Sequence, residues 1–335
     1  MKILGIETSC DETSVSVVEN GRKILSNIIH SQIDIHTLYG GVVPEIASRS
    51  HVERISELVS EAFEKAELSI GDIDAIAVTN APGLIGALLV GLNFAKSLAF
   101  SLNKPLIPVH HIRGHIAGLY LSYPELKPPF SVLVVSGGHT MIAHVEDYTR
   151  YEILGSSKDD AAGECFDKVA RVLDLGYPGG PKIEKMAENG NPDAIKFPMV
   201  NFEQNPYDFS FSGVKTAVIN YVHNIKQAEA ALNKADIAAS FTKAVCTVLV
   251  KKSVMAAKKY NKLVIAGGVA ANNNLREDLK KACSEQNIEL FLPEKHLCTD
   301  NGAMIAAQGY YEYLNGNISG NDLNAFPTQN LAFNS

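Results

Sequence analysis

The sequence predicts an α/β protein built of two related lobes that face each other across a central cleft. Each half opens with a strand, a turn of small polar residues and two further strands. Each half later shows a strand, a glycine turn and a helix, and a proline-rich joint at 124–129 separates the halves. A duplicated meander followed by a strand–helix unit is typical of paired lobes that bind ligands where their strands end.

Alternating and helical patterns of apolar residues define the elements of the first half. They predict strands over 2–7, 14–18, 23–29, 73–79 and 107–109, and helices over 44–66, 86–102 and the segment beginning near His111. Asn20-Gly21 suits the hairpin turn between the second and third strands. The first half is therefore a three-stranded meander followed by strand–helix units.

The second half repeats this order. Its patterns predict strands over 130–136, 140–146, 150–155 and 263–266, and helices over 162–173, 182–189, 272–283, 301–314 and a long one N-capped by Asp236. The segment 191–212 is expected to be irregular, and the Asn- and Gly-rich tail after Asn315 is expected to be loose.

These elements give three expected divisions of the chain. The N-terminal lobe covers residues 1–125, and the C-terminal lobe covers residues 126–300. The final helix and loose tail cover 301–335, and the pattern does not assign them to a lobe.

Composition excludes several classes of protein. With a net charge of -7 and a pI near 5.8, the chain lacks the basic balance of a protein that grips nucleic acid alone. Five scattered cysteines without a CxxC pair indicate free thiols in a reducing compartment. No signal peptide is recognisable, and the apolar stretch 84–100 contains Asn93 and Lys96. We expect a cytoplasmic protein that does not enter a membrane.

His111 and His115 are the first candidates for chemistry. They are spaced i, i+4, so a helix places both imidazoles on one face, close enough for one metal ion. Asp300, just before the last predicted helix, could complete a two-His one-Asp set suited to Fe(II) or Zn(II). The alternatives are two surface histidines and an aspartate that merely caps a helix.

Two glycine turns are candidates for binding an anion or a nucleotide. Val134-Val135 end a strand and lead into Ser136-Gly137-Gly138, where backbone N–H groups could approach a phosphate. A simple hairpin explains the same pattern. Small residues from Gly267 to Asn272 could let a flat ring lie at a helix start, although packing alone is an alternative. The chain contains neither a P-loop nor a GxGxxG motif.

Other motifs are more ambiguous. Asp167 fits a solvated helical face beside Lys168, whereas Tyr177-Pro178-Gly179-Gly180-Pro181 fixes an unusual backbone path. The His111–His115 spacing matches HExxH, but Ile112 occupies the position of the general base, which disfavours a metalloprotease. A run of lysines is either a solvated face or the best phosphate-backbone contact in an acidic chain: Lys243, Lys251, Lys252, Lys258, Lys259 and Lys262.

Taken in order, these motifs resemble one family. The motifs that carry the resemblance are Gly5 to Ser14, His111–His115, Ser136 to Thr140, Tyr177 to Pro181, Gly267 to Asn272 and Thr299-Asp300-Asn301. Together they are similar to the tRNA N6-adenosine threonylcarbamoyltransferase family (TsaD), over about 2–313. The resemblance implies the actin, hexokinase and heat-shock-chaperone ATPase fold. It also implies transfer of a threonylcarbamoyl group from threonylcarbamoyl-AMP to N6 of the adenosine at tRNA position 37.

The resemblance also implies site residues and partners. His111, His115 and Asp300 would bind one metal ion per subunit, usually iron and sometimes zinc. The residues that would hold the adenylate are Val134, Val135, Ser136, Gly137, Gly138, Asp167, Gly180 and Asn272. Bacterial members work with a shorter paralogue, TsaB, and an ATPase, TsaE. Two positions depart from the family pattern: Ala81 replaces a glycine, and Glu184 replaces an aspartate that touches the ribose in many members.

Three other functions stay open from the sequence. A small-molecule kinase of the same fold is the first alternative, since that cleft commonly binds ATP. A metalloprotease and a non-enzymatic scaffold are weaker alternatives.

Overall fold

A computed structural model of the protein describes residues 1–332, which form two compact units. The first comprises residues 1–128, 145–151 and the described chain from 293 onward, and the second comprises residues 129–144 and 152–292. The final helix, which the sequence pattern left unassigned, belongs to the first unit. The described helices are α1 (Ile33–Thr37), α2 (Pro44–Lys65), α3 (Ile85–Leu102), α4 (His111–Ser122), α5 (Ala162–Val172), α6 (Gly179–Ala187), α7 (Ser212–Gln227), α8 (Lys234–Ala257), α9 (Asn273–Glu285) and α10 (Gly302–Leu314).

Each unit contains a five-stranded sheet, and the two sheets share one topology. The strands are β1 (Lys2–Glu7), β2 (Glu12–Glu19), β3 (Lys23–Ser31), β4 (Ala75–Ala81), β5 (Leu106–His110), β6 (Phe130–Val135), β7 (Thr140–Asp147), β8 (Arg150–Ser156), β9 (Lys262–Ala266) and β10 (Glu289–Phe291). The strand orders are β3-β2-β1-β4-β5 and β8-β7-β6-β9-β10. In the first sheet, β2 pairs antiparallel with β1 and β3, whereas β4 pairs parallel with β1 and β5. The duplication predicted from the sequence is therefore confirmed.

The first sheet is covered on both faces because β1 alternates between two apolar clusters. Ile3 packs with residues of α10, whereas Leu4 and Ile6 pack with residues of α2 and α3. Gly5 has no side chain to separate β1 from α10, and a Cβ there would lie 2.2 Å from the Gly302 carbonyl oxygen. This close approach fixes where α10 begins.

Helix α3 is long and apolar enough to cross a membrane by length and composition alone. The core helix of a globular protein meets the same criterion. Leu88, Leu92 and Ala95 of α3 lie in the core cluster of the first unit. Packing therefore explains the apolar residues on one side of α3, whereas Ile85 and Phe100 of the same helix are exposed.

Several local predictions need correction. The long helix α8 is N-capped by Asn233, not by Asp236, because the Asn233 side chain accepts from the N–H groups of Ala235 and Asp236. Helices α1 and α7 and strand β10 were not predicted. The five cysteines, all within the described residues, form no disulfide bond.

The expectation of a loose tail after Asn315 is also corrected. Ser319 N–H donates to the Leu106 carbonyl at 2.9 Å. Ala325 and Leu331 are only 6% and 2% exposed. The segment therefore packs on the first unit, although its composition is that of a flexible tail.

Candidate metal centre and second-unit turns

Helix α4 carries the histidine pair and begins directly after β5. The side chain of His110 caps the helix by accepting from the N–H of Ile112 at 3.2 Å. The rings of His111 and His115 lie 4.7 Å apart at 79°, and both residues are buried. The alternative of two surface histidines is therefore excluded.

Asp300 lies beside the histidine pair because the start of α10, two residues after it, lies next to α4. Asn301 is the N-cap of α10 and accepts from the N–H of Met304, so Asp300 is not needed as the cap. Its Oδ1 lies 3.1 Å from His115 Nε2 and 3.6 Å from His111 Nε2. The structure therefore brings the three predicted ligands together.

The arrangement fits a metal ion. One donor atom from each of His111, His115 and Asp300 lies within 4.8 Å of the others. Nε2 of His115 is buried, and although Asp300 Oδ1 lies 3.1 Å away, the nitrogen has no hydrogen bond of good geometry to any residue of the described chain. A buried polar nitrogen without a hydrogen bond is costly, and coordination to a cation would remove that cost.

Glu7 orients His111 from behind. It has no exposed surface, and its Oε2 lies 3.1 Å from His111 Nδ1 and accepts from the Thr79 hydroxyl at 2.6 Å. Ser9 Oγ also lies 3.1 Å from His111 Nδ1. Glu7 and Ser9, on either side of the turn after β1, therefore both support the histidine. The only indication of this pairing in the sequence is a charged residue at the end of a buried strand.

Charge distribution favours a cation at this site. Burial opposes ionisation of Glu7, but His111 outweighs it and lowers the Glu7 pKa. Burial alone would lower the pKa of His111, yet Asp300 and then Glu7 raise it to about 9. Burial, then Asp300 and Asp11, raise the pKa of Glu12 well above its usual range. Several carboxyl groups therefore compete for positive charge in one small region.

The HExxH alternative fails on the position of Ile112. Its side chain is fully buried. An apolar residue buried between the two histidines cannot act as the general base of a protease.

In the second unit, β6 leads into the turn predicted to bind an anion. Val134 and Val135 are fully buried at the end of the strand. The Ser136 carbonyl accepts from Gly163 N–H at 3.2 Å, which seats the turn on the start of α5. A Cβ at Gly137 or Gly138 would meet no atom within 4 Å, so both glycines border open space.

Asp167 lies on α5 and holds the Pro-Gly-Gly-Pro loop. Its Oδ1 accepts from Gly179 N–H at 2.7 Å. A Cβ at Gly179 would lie 2.5 Å from the Asp167 Cα, whereas Gly180 borders open space. Asp167 is therefore not simply part of a solvated helical face.

Asn272 caps α9, and the turn that precedes it lies against β6. The Asn272 side-chain oxygen accepts from Leu275 N–H at 3.0 Å. Gly267 has φ +95°, and a Cβ there would lie 2.5 Å from the Val135 carbonyl oxygen. Glu184 accepts from Asn273 N–H at 2.8 Å, which brings the residue that departs from the family pattern to the same helix start.

The lysine run is not one solvated face. Lys252 is 3% exposed, and its Nζ donates to the Asp208 carbonyl oxygen. Lys243 pairs with Asp193 at 2.5 Å, and Lys259 pairs with Glu152 at 3.2 Å. The interpretation of all six lysines as a cationic surface is therefore wrong for Lys252.

Comparisons with known proteins agree with this geometry. The sequence model of TsaD, described as tRNA N6-adenosine threonylcarbamoyltransferase, matches residues 23–307. A protein of that name from Clostridium perfringens is 57% identical over 331 residues, covering 98% of each chain. One from Clostridium kluyveri is 56% identical over 334 residues, covering 99% of this chain and 98% of its own.

Solved structures identify the fold. HypF from T. kodakarensis matches with a TM-score of 0.63 at 18% identity, covering 96% of this chain and 49% of that chain. Component A of Acidaminococcus fermentans (R)-2-hydroxyglutaryl-CoA dehydratase gives a TM-score of 0.55 at 16% identity, covering 94% and 99%. The predicted actin- and hexokinase-like ATPase fold is confirmed, and the findings give no support to a kinase or a protease. The chain belongs to the tRNA N6-adenosine threonylcarbamoyltransferase family.

Proposed function

We propose that this chain transfers the threonylcarbamoyl group of threonylcarbamoyl-AMP to N6 of the adenosine at position 37 of tRNAs, in the cytoplasm. Family membership supports the reaction class. The observation that carries the proposal in this chain is the metal-ligand set. Three donor atoms lie within 4.8 Å of one another, and one of them is a buried nitrogen without a hydrogen bond.

In this proposal, His111, His115 and Asp300 hold one divalent ion per subunit, Fe(II) or Zn(II). Two imidazoles and one carboxylate leave positions open on either ion. Such an ion supplies Lewis-acid polarisation and a template for orienting the carbonyl group. Glu7 accepts the Nδ1 proton of His111, which leaves the Nε2 lone pair directed toward Asp300.

The second unit would hold the adenylate. The proposed contacts are Val134, Val135, Ser136, Gly137, Gly138, Asp167, Gly180 and Asn272. Open space at the three glycines suits backbone contact with a phosphate. The Asn272 side-chain oxygen is used in capping, so its amide NH₂ would donate to a ribose or a base. One carboxylate oxygen of Glu184 already accepts from Asn273 N–H at the start of α9.

The transfer itself demands alignment more than nucleophile activation. N6 forms a bond to the carbamoyl carbon, the bond from that carbon to the phosphate oxygen breaks, and AMP leaves with the electron pair while N6 loses one proton. AMP is a good leaving group and the exocyclic amine is a weak nucleophile. Positioning and stabilisation of the phosphate charge are therefore the chain's main contributions.

Partners belong to the same proposal. The chain's net charge of -7 favours shared binding of tRNA with other proteins. TsaB and TsaE are the partners that the family resemblance implies.

Reconstitution tests this function. The full chain, tRNA, threonylcarbamoyl-AMP and the partner proteins are combined, and the modified nucleoside is measured by mass spectrometry. We expect product with the unchanged chain, and a loss of at least about a hundredfold with His115→Ala. His223→Gln, on an exposed part of α7, is the control. Undiminished product with His115→Ala would remove the metal from the proposal, and no product from the unchanged chain would overturn the function.

A further inference from the structure

The segment 317–331, here named the C-terminal strap, runs across the first unit and reaches the start of α4. Its backbone is fixed along its length. Its anchoring hydrogen bonds run from Ser319 N–H to Leu106 O, from Phe326 N–H to Asn80 O, and from Gly83 N–H to Pro327 O. Leu331, near its end, is 2% exposed. The strap is therefore ordered up to the point where it contacts α4, the helix that carries His111 and His115.

Arg113 receives the end of the strap. On a helix, position 113 lies about 180° from the midpoint of positions 111 and 115, so Arg113 is on the face of α4 opposite the imidazoles. It is 4% exposed. Its Nε and Nη2 donate to the Leu331 carbonyl oxygen at 3.2 and 3.0 Å. Two donors on one carbonyl hold the strap to the face of α4 opposite the imidazoles.

Arg113 also connects α4 to α10, the helix that begins beside Asp300. Its Nη1 donates to Glu312 Oε1 at 3.0 Å. The same oxygen accepts from Gln308, and the other Glu312 oxygen accepts from Asn317 of the strap at 3.1 Å. One buried network thus includes both helices and the strap.

A second contact reaches the first turn of α4. His110 Nε2 lies 3.2 Å from the Gln329 carbonyl, and its Nδ1 accepts from the N–H of Ile112. The ring therefore donates to the strap from Nε2 and caps the helix with Nδ1. Because His111 is the next residue, the strap fixes the turn that carries the first imidazole.

We propose that the C-terminal strap positions the two imidazoles, with His110 and Arg113 as positioning residues that act through α4. This inference rests on the metal centre of the proposed function. Metal ligands must be held to within about half an ångström of productive geometry, and a helix clamped from behind meets that need. Without the two strap carbonyls, Arg113 keeps Glu312 and His110 keeps the N–H of Ile112, but both lose the contacts that join α4 to the strap.

Truncation tests the strap directly. A chain ending at Thr328 loses both carbonyls but keeps the anchors at Phe326 and Pro327, whereas a control chain ending at Ala332 keeps both carbonyls. Each is titrated with Co(II), and the visible absorption of the bound ion is recorded. We expect the chain ending at Thr328 to show a Co(II) dissociation constant raised about tenfold or more and an altered spectrum. The control should match the full chain, and circular dichroism should report the same helix content for all.

Arg113→Lys provides a second measurement that does not depend on a truncated chain folding. Lysine keeps the charge opposite Glu312 but cannot place two donors on the Leu331 carbonyl. We expect weaker Co(II) binding, an altered spectrum and a lower kcat with an unchanged KM for tRNA. Arg49→Lys, on an exposed side chain, is the control.

The outcomes separate this inference from the proposed function. Unchanged Co(II) affinity and spectrum in both the truncated chain and Arg113→Lys, with binding lost in His115→Ala, would overturn the positioning role and leave the metal centre intact. Failure of the full chain to bind Co(II) would overturn both the metal centre and the strap's role in positioning it.

Discussion

Glu7 has no exposed surface, and three groups use its carboxylate. Oε2 contacts His111 and Thr79, and Oε1 accepts from Ser9 N–H at 2.5 Å. A carboxylate behind a ligating histidine fixes the ring's tautomer and raises its basicity. Glu7 therefore supports the proposed metal site without being one of its three candidate ligands.

Glu7→Gln should weaken metal binding about ten- to hundredfold, because the amide keeps the size of the side chain but removes its charge. Zn(II) competition against a chromophoric chelator measures the change. Glu45→Gln, an exposed residue of α2, is the control. Equal Zn(II) affinity in Glu7→Gln and the unchanged chain would show that His111 needs no carboxylate behind it.

His51 makes stability depend on pH. Its Nε2 donates to the Cys10 carbonyl at 2.9 Å, and its Nδ1 accepts from the Thr13 hydroxyl at 2.7 Å, with the Gln32 amide at 3.4 Å from the same nitrogen. Burial lowers its pKa, against the opposing effects of the Cys10 hydrogen bond and of Glu7 and Asp11, while His30 adds to the lowering. A proton added to Nδ1 would displace the hydrogen bond from the Thr13 hydroxyl and place a charge in a buried environment.

Because the pKa of His51 is lower in the folded chain, the unfolded chain takes up the proton first as the pH falls. The contribution of neutral His51 to stability is therefore present above about pH 6.5 and is lost below it. Urea unfolding of the unchanged chain should lose more stability between pH 7 and pH 5 than that of His51→Gln. The exposed His223→Gln should behave like the unchanged chain, and identical pH profiles for all three would contradict the assignment.

At the scale of the element, the geometry of the proposed metal site depends on how closely α10 approaches β1. A Cβ at Gly5 would lie 2.2 Å from the Gly302 carbonyl oxygen and 2.6 Å from Ala306 N. These are backbone atoms, so no side-chain rotation could relieve the contact. Asp300 precedes α10 by two residues. Any shift of α10 away from β1 would therefore move the Asp300 carboxylate relative to His115, which lies 3.1 Å from it.

Gly5→Ala should lower the free energy of unfolding by roughly 1–3 kcal/mol and weaken Zn(II) binding, because α10 must move to admit the methyl group. Gly71→Ala is the matched control, since a Cβ there meets no atom within 4 Å. Chemical unfolding and metal titration measure the two effects. An unfolding midpoint unchanged in Gly5→Ala would mean that β1 and α10 are less tightly packed than their backbones indicate.

At the scale of the whole molecule, periodicity predicted the duplicated sheets because each strand and helix signals its own buried face. Spacing predicted His111 and His115, whereas Asp300 was predicted from ligand chemistry together with the family resemblance. Glu7 behind His111 could not be predicted, because that contact joins residues 104 positions apart. The C-terminal strap was also missed, because its order comes from hydrogen bonds to the first unit and its own composition is that of a loose tail.

The net negative charge of the chain should limit its affinity for tRNA. Of the six lysines first considered for phosphate contact, Lys252 is buried, and Lys243 and Lys259 already pair with acids. The chain alone should therefore bind tRNA no more tightly than about micromolar at physiological salt, the strength of non-specific contact. Filter binding at several salt concentrations, with and without the partner proteins, measures this affinity. Nanomolar binding by the chain alone would instead require a basic surface within it strong enough to overcome a net charge of -7.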